Sequence, residues 1–266
     1  MIVFPLYLSY SYLLICYAGV HLASAAVGKN IFLLSGQSNM SGRGGVVNST
    51  WDGYIPPESS PNPAILRLTA NLTWEPAAEP IHRDIDIAKV CGVGPGMAFA
   101  NYLLRKNPSI GVVGLVPCAI GGTNISEWVR GGYLYKQMMR RAAAAVAGGG
   151  TIRGLLWYQG ESDTLTLEDA EAYKNRLRRF FFDVREDLRL PVLPIVQVAL
   201  ASESGPYTIV VREAQLEMKL ANLKTVDAMG LSLQQPENLH LTTPSQVSLG
   251  KILTKSFLQV CHYHNL

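Results

Sequence analysis

The sequence has little charge and no long run of one sign. Charged residues make up 16% of its 266 residues, and 23 basic against 20 acidic side chains give a formal net charge of +3. Nucleic-acid binding usually shows as a basic run or patch, so we expect no nucleic-acid partner. Hydrophobic residues reach 48%, which argues against intrinsic disorder and allows a large core. The length fits one domain.

Cysteines are few as well. Cys16 lies in the apolar N-terminal stretch, which leaves Cys91, Cys118 and Cys261. An odd number does not predict a disulfide framework, although one bridge stays open. No cluster of His, Cys and Asp has the spacing of metal ligands, so we expect neither a metal nor another cofactor.

Acidic and basic residues are absent before Lys29. The stretch is apolar through Val20 and ends in Ala23-Ser24-Ala25, a small-x-small cleavage signature. We interpret residues 1–25 as a secretory signal peptide and residues 26–266 as the mature domain, so we expect a secreted protein with no stable membrane partner. The basic n-region is missing, and the stretch is long enough to span a bilayer. A retained signal anchor is therefore the alternative.

Four Asn-x-Ser/Thr sequons start at Asn39, Asn48, Asn71 and Asn124. Asn39 and Asn124 lie in the motifs that carry the chemistry described below, where a glycan would obstruct a substrate. Since Asn48 and Asn71 lie in a long loop, we expect them to be the acceptors in a secreted chain.

β-prone runs alternate with segments of helical periodicity. The predicted strands are 31–35, 110–118, 152–159, 192–199 and 225–233. The predicted helices lie near 94–106, 133–147, 168–189, 207–223 and 244–260. This alternation predicts an α/β fold, a three-layer α/β/α sandwich of flavodoxin-like type with a five-stranded parallel sheet.

Residues 41–93 interrupt the alternation. Six prolines fall within 51–80, and only 64–68 could form a strand, at an edge of the sheet. A connection this long in a compact domain is usually functional. Because it follows Ser38 directly, we expect it to form a wall of the substrate site.

Ser38 stands where the first predicted strand ends, in Gly36-Gln37-Ser38-Asn39-Met40. Ligands of open α/β sheets bind at this carboxyl edge. The loop after the fifth strand carries Glu237 and, three residues later, His240. A histidine there can deprotonate the serine while the acid fixes its tautomer. The simpler interpretation is a locally bonded histidine and a solvated glutamate.

Two more loops reach the same edge. Gly121 and Gly122 follow the second strand, and Gln159 follows the third. A glycine lets a backbone N–H face a ligand, and a side-chain amide can donate to an oxyanion. Alternatively, the glycines only make a turn and Gln159 is a buried structural amide.

The combination of serine, glycine, amide and histidine loops, in this order along the chain, resembles the SGNH hydrolases. It is most similar to their plant branch of carbohydrate esterases with a sialate O-acetylesterase-type domain, related to carbohydrate esterase family 6. The matching segments are 35–44, 92–97, 117–123, 157–163 and 238–250.

The resemblance implies an esterase that removes acyl groups, chiefly acetyl, from cell-wall carbohydrate. It implies Ser38 as nucleophile and His240 as base, with the Ser38 backbone, Gly121 or Gly122, and Gln159 as oxyanion donors. Gly121 fits the family's Gly-x-Thr spacing better than Gly122 does.

One position departs from the family pattern. The acid three residues before the histidine is normally Asp, and here it is Glu237, whose extra methylene must fold back to reach the imidazole. A Ser-His-Glu triad preserves the chemistry. His82, with Asp84 and Asp86 nearby, forms a competing set that we interpret as a decoy.

Two alternatives to a hydrolase remain. A sugar hydroxyl that intercepts the acyl-enzyme would make the protein a polysaccharide O-acetyltransferase. The exchange of Asp for Glu would also suit a catalytically weak wall-carbohydrate-binding protein. The sequence does not indicate the sugar, the acetyl position or the oligomeric state.

The N-terminal interpretation has a direct test. Protein purified from a plant expression host should begin at Ala26 and carry glycan on Asn48 or Asn71. N-terminal sequencing and glycopeptide mass spectrometry measure both. An intact Met1 would contradict the cleavage, and a glycan on Asn39 would contradict the assignment of acceptors.

Overall fold

A computed structural model describes residues 28–202 and 205–262. The predicted signal peptide and Cys16 lie outside the described residues. The strands are β1 Lys29–Gly36, β2 Val46–Val47, β3 Thr50–Trp51, β4 Ile65–Leu68, β5 Trp74–Pro76, β6 Val113–Pro117, β7 Gly150–Tyr158, β8 Ile195–Ala199 and β9 Leu223–Asp227. The helices are α1 Ser38–Ser41, α2 Pro95–Lys106, α3 Tyr133–Ala147, α4 Leu167–Asp187, α5 Thr208–Leu216 and α6 Thr243–His262.

The central sheet has seven strands in the order β5-β4-β6-β1-β7-β8-β9. Every neighbouring pair is parallel except β4 with β5. The predicted α/β fold and its parallel core are therefore confirmed, whereas the strand count of five is too low. β5 shows no periodic signal in the sequence, because a strand of three residues is too short for one.

The segment 64–68 is not an edge strand. β4 pairs with β6 on one side and with β5 on the other, so β5 forms this edge of the sheet. The predicted helix at 207–223 is also too long. It ends at Leu216, and the following residues lead into β9, which begins at Leu223.

The two faces of the sheet are covered by different helices. Phe32 on β1 packs edge-on against Phe99 of α2 and Phe257 of α6, with ring centroids 4.9 Å apart in both pairs. On the other face the ring centroids of Trp157 on β7 and Phe180 on α4 are 4.5 Å apart. Because side chains alternate along a strand, both faces of the central strands become buried.

β1 and β7 lie together at the middle of the sheet and end at the same edge, where Gly36 pairs with Tyr158. Gly36 has a φ of +125°, and a Cβ there would overlap the Tyr158 carbonyl oxygen. Only glycine therefore allows the chain to turn at this point. The turn places Ser38 at the start of α1, directly above the sheet edge.

Among the described residues, no helix combines the length and the apolar character that crossing a membrane requires. Cys91, Cys118 and Cys261 are free thiols, the first two buried.

Candidate active site

Ser38 and His240 meet at the carboxyl edge of the sheet. The Ser38 hydroxyl lies 3.1 Å from His240 Nε2, within the range that proton transfer requires. Ser38 is 5% exposed, and both residues line a cavity of about 430 Å³. We call this cavity the catalytic pocket. The predicted pairing of serine and histidine is thus formed by residues about two hundred positions apart.

Asn39 holds the histidine loop in place. Its Oδ1 accepts from Leu241 N at 2.9 Å, and its Nδ2 donates to the Leu239 carbonyl at 3.1 Å. One fully buried amide therefore binds the backbone on both sides of His240. Nδ2 also donates to Glu161 Oε1 at 2.7 Å. In the sequence Asn39 stands out only as a sequon, and its place directly after Ser38 is the signal that could have indicated this role.

The environment of His240 keeps the imidazole neutral. Burial, and to a smaller extent the positive charge of Arg43, lowers the pKa of His240 to about 4. A base must be unprotonated to accept a proton from serine. At neutral pH the ring is therefore in the form that can activate Ser38.

Glu237 does not reach His240 in this structure. The expected hydrogen bond is not formed, and within the described part of the chain the Glu237 carboxylate and the His240 Nδ1 have no hydrogen-bond partner. The loop explains this: Gln234 N donates to the His240 carbonyl, and Asn238 N donates back to Gln234. These bonds leave Glu237 exposed at the tip of the turn.

The backbone N–H groups of Ser38 and Gly122 have no acceptor among the described residues. Both residues line the catalytic pocket, and both N–H groups were predicted as oxyanion donors. Gly121 also lines the pocket, but its N–H donates to Asp86 Oδ2 at 3.1 Å. The sequence spacing favoured Gly121 as the donor, but in the structure the N–H without an acceptor is that of Gly122.

Gln159 is not placed as an oxyanion donor. Its side chain is fully buried and does not line the catalytic pocket. Its Nε2 donates to the Thr123 carbonyl at 2.9 Å and to Asp163 Oδ2 at 2.5 Å. Because both amide hydrogens have protein acceptors, the structure matches the alternative interpretation of a buried structural amide.

A buried ion pair lies beside the catalytic pocket, and its Arg43 lines the pocket. Arg43 Nη2 lies 2.5 Å from Asp86 Oδ2, and the two side chains are 5% and 1% exposed. Ser41 Oγ also donates to Asp86 at 2.8 Å. A Cβ at Gly121 would lie 2.6 Å from Arg43 Nη2, so the glycine is needed for the guanidinium to fit. Sequence reasoning missed this pair because its members are 43 residues apart.

Glu161 is a second ionisable group of the pocket that sequence reasoning did not place there. Its Oε2 is buried without a hydrogen-bond partner in the described chain, while Oε1 accepts from Asn39. Burial raises the pKa of Glu161 to about 7. Glu161 is thus partly protonated at neutral pH, beside Ser38 and His240 in the pocket wall.

The competing set in the long loop does not form a catalytic pair. His82 is buried, with Nε2 3.4 Å from the Leu34 carbonyl oxygen, and burial lowers its pKa to about 3. Asp84 accepts two hydrogen bonds from Arg67, and Asp86 pairs with Arg43. The loop does contribute Arg43 and Lys89 to the pocket lining, as expected for a wall of the site.

The fold and this geometry agree with the comparison to known families. The model of the family described as carbohydrate esterase, sialic acid-specific acetylesterase, matches residues 28–259. The chain belongs to this family. It is a carboxylic ester hydrolase, and the resemblance indicated by the motifs is confirmed.

One similar protein of Arabidopsis thaliana is matched both as a sequence and as a crystal structure, and a third match shares only the fold. A "probable carbohydrate esterase" of Arabidopsis thaliana is 55% identical over 235 residues, covering 86% of this chain and 90% of the relative. A crystal structure from Arabidopsis thaliana is 54% identical, with a TM-score of 0.84 over 87% of this chain and 98% of that one. NanS shares the fold at 17% identity, with a TM-score of 0.70 over 89% and 98% of the two chains.

The position of Asn39 predicts a loss of turnover when its amide is removed. Asn39→Ala frees the backbone on both sides of His240, and a displacement of about 1 Å in a catalytic group can cost about 10²-fold. We expect kcat to fall by about that factor with little change in KM. Steady-state kinetics on 4-nitrophenyl acetate, with circular dichroism to verify folding, measure this. An Asn39→Ala enzyme that is folded and has the parent kcat would contradict the role of the amide.

The exposure of Glu237 predicts a small effect of its substitution. Since no hydrogen bond joins it to the imidazole, Glu237→Gln should lower kcat by less than about tenfold. A triad whose acid orients the histidine loses about 10⁴-fold when that acid becomes an amide. A loss of that size would show that Glu237 bonds His240 in the working enzyme. Comparing Glu237→Asp in the same assay shows whether the extra methylene matters.

Proposed function

We propose that the protein is a secreted serine esterase that removes O-acetyl groups from carbohydrate. The observation that carries the proposal is the Ser38–His240 hydrogen bond of 3.1 Å inside the catalytic pocket. The family supports a carbohydrate substrate, because its description names a carbohydrate esterase and an acetylesterase.

The proposed reaction proceeds through an acyl-enzyme. Ser38 Oγ attacks the ester carbonyl while His240 Nε2 takes its proton, and the oxyanion accepts hydrogen bonds from Ser38 N and Gly122 N. His240 then protonates the leaving sugar oxygen as its bond to the acyl carbon breaks, which releases the sugar hydroxyl. Water repeats the sequence on the acetyl-serine and releases acetate. Burial and, to a smaller extent, the charge of Arg43 keep the imidazole unprotonated before the attack, although the same charge opposes the imidazolium that the attack forms.

The proposal of secretion is based on the N-terminal stretch, where the cleavage signature Ala23-Ser24-Ala25 precedes the esterase domain. The sequons are compatible with it. Asn48 and Asn71 are exposed, whereas Asn39 is fully buried and bonded through its side chain. Neither exposed asparagine makes a hydrogen bond to Ser38 or His240, but Asn48 lines a cavity that His240 also lines.

Substitution of the nucleophile tests the proposed function. Ser38→Ala should abolish acetate release from acetylated xylan and from 4-nitrophenyl acetate. The residual rate should be at most roughly 10³-fold above the uncatalysed rate. Ser162→Ala is the matched control, since Ser162 lines the same pocket and should keep the parent rate. Turnover by folded Ser38→Ala near the parent rate would remove Ser38 as nucleophile. Transfer of acetyl to an added sugar instead of water would indicate an acetyltransferase.

The lowered pKa of His240 predicts activity well into acid. The enzyme needs neutral His240, so kcat/KM should fall only as the pH drops through about 4. An enzyme whose base is an exposed histidine would lose activity as the pH drops through about 6.5. Because Glu161 titrates near 7, an inflection there belongs to Glu161 and should disappear in Glu161→Gln. An acid limb near 6.5 that persists in Glu161→Gln would contradict the assignment of the base.

A further inference from the structure

Glu161 is a buried acid of the catalytic pocket that takes part in no step of the proposed reaction. Its side chain is 3% exposed. Oε1 accepts from Asn39 Nδ2 at 2.7 Å, whereas Oε2 is buried and has no hydrogen-bond partner in the described chain. Burying a carboxylate oxygen without a partner costs stability, so such a group needs an explanation. The single side-chain contact, the one with Asn39, indicates where to look for it.

The backbone around Glu161 is attached to the turn that carries Ser38. Gln37, the residue before the nucleophile, is 2% exposed. Its Oε1 accepts from Gly160 N at 3.2 Å and from Ser162 N at 3.4 Å. The residues on both sides of Glu161 are therefore held by the side chain that precedes Ser38. This attachment fixes the place of the Glu161 carboxylate without any contribution from the histidine loop.

Asn39 holds the backbone on both sides of His240 in the same way, but only in one orientation of its amide. Oδ1 must face Leu241 N, and Nδ2 must face the Leu239 carbonyl. An ionised carboxylate accepts hydrogen bonds and donates none. The Oε1 atom of Glu161 therefore keeps Nδ2 on its own side and the amide oxygen on the side of Leu241. A fixed carboxylate thus favours the one orientation of the amide that binds the histidine loop.

We propose that Glu161 is a positioning residue, which fixes the Asn39 amide and, through it, the His240 loop beside Ser38. What matters is an oxygen that reaches Asn39 Nδ2, so an amide oxygen of the same length can replace it and a shorter acid cannot. An acid then orients the base through the backbone, although no carboxylate of the described residues hydrogen-bonds the imidazole. The inference rests on the proposed esterase function, because it concerns the geometry of the same nucleophile and base.

Three substitutions of Glu161 separate the reach of the side chain from its charge, with 4-nitrophenyl acetate as substrate. Glu161→Gln keeps an acceptor for Asn39 and should keep kcat within about threefold, because the hydrogen bond remains. Glu161→Asp keeps the charge but is one methylene shorter, and Glu161→Met keeps the length but has no oxygen. Both should lower kcat about tenfold with KM unchanged, the size expected for the loss of one hydrogen bond. Circular dichroism verifies folding, and the Asp variant decides the test if the Met variant does not fold.

A double-mutant cycle tests whether Glu161 acts through Asn39. Glu161→Met, or Glu161→Asp in its place, should cause little further loss of kcat in an Asn39→Ala enzyme, because the amide that Glu161 orients is then absent. Asp163→Asn is the matched control. Asp163 is a fully buried carboxylate of the same turn, Glu161–Thr164, and it bonds Gln159 Nε2 and Ile125 N instead of Asn39. Its effect on kcat should be equal in the parent and the Asn39→Ala enzymes.

Losses that multiply when Glu161→Met and Asn39→Ala are combined would overturn the inference, because the two side chains would then act independently. A slow Glu161→Gln enzyme beside an unaltered Glu161→Asp enzyme would overturn it too, since charge and not reach would then matter. A raised KM with the parent kcat in Glu161→Met would assign the acid to substrate binding instead. Each of these results leaves the esterase proposal standing, whereas the parent rate in folded Ser38→Ala would contradict that proposal and this inference with it.

Discussion

The site depends on one buried amide. Asn39 accepts from Leu241 N and donates to the Leu239 carbonyl, so the residue next to the nucleophile fixes both backbone neighbours of the base. A loop from the far end of the chain is thereby held at a distance that allows proton transfer. The same side chain donates a hydrogen bond to Glu161. This bond links the loop after β7 to the loops that carry Ser38 and His240. The Asn39 amide uses both its hydrogens and its oxygen in these bonds and is therefore held rigidly. Preorganised geometry is what serine chemistry requires.

The charges of the pocket complement this rigidity. Arg43 and Asp86 are paired out of solvent beside Ser38, where removing one partner would leave an uncompensated buried charge at a cost of about 3–5 kcal/mol. The pair fixes the position of the guanidinium, whose charge adds to the effect of burial in lowering the pKa of His240. It also occupies the Gly121 N–H through Asp86, which leaves Ser38 N and Gly122 N to meet a developing oxyanion. One ion pair thus influences both the proposed base and the proposed oxyanion donors.

Much of this arrangement was predictable from the sequence because it follows from local rules. The alternation of strands and helices predicted the parallel sheet, and the positions of Ser38 and His240 at strand ends predicted that they meet. Contacts that depend on tertiary packing were not predictable. Gln159 was predicted as an oxyanion donor, but its side-chain amide donates to Thr123 and Asp163 instead. Glu237 has the right spacing from His240, but the turn held by Gln234 exposes it. The Arg43–Asp86 pair spans a segment without periodicity, so no pattern indicated it.

The most direct test of the account is to locate the acyl group on the enzyme. Rapid acid quenching of a reaction with 4-nitrophenyl acetate, followed by digestion and peptide mass spectrometry, shows which residue becomes acetylated during turnover. The account predicts one acetyl group on the peptide that contains Ser38, formed in the parent enzyme and strongly reduced in His240→Ala. Acetylation of a different residue, or turnover with no acetylated peptide under conditions where deacetylation is rate-limiting, would contradict it.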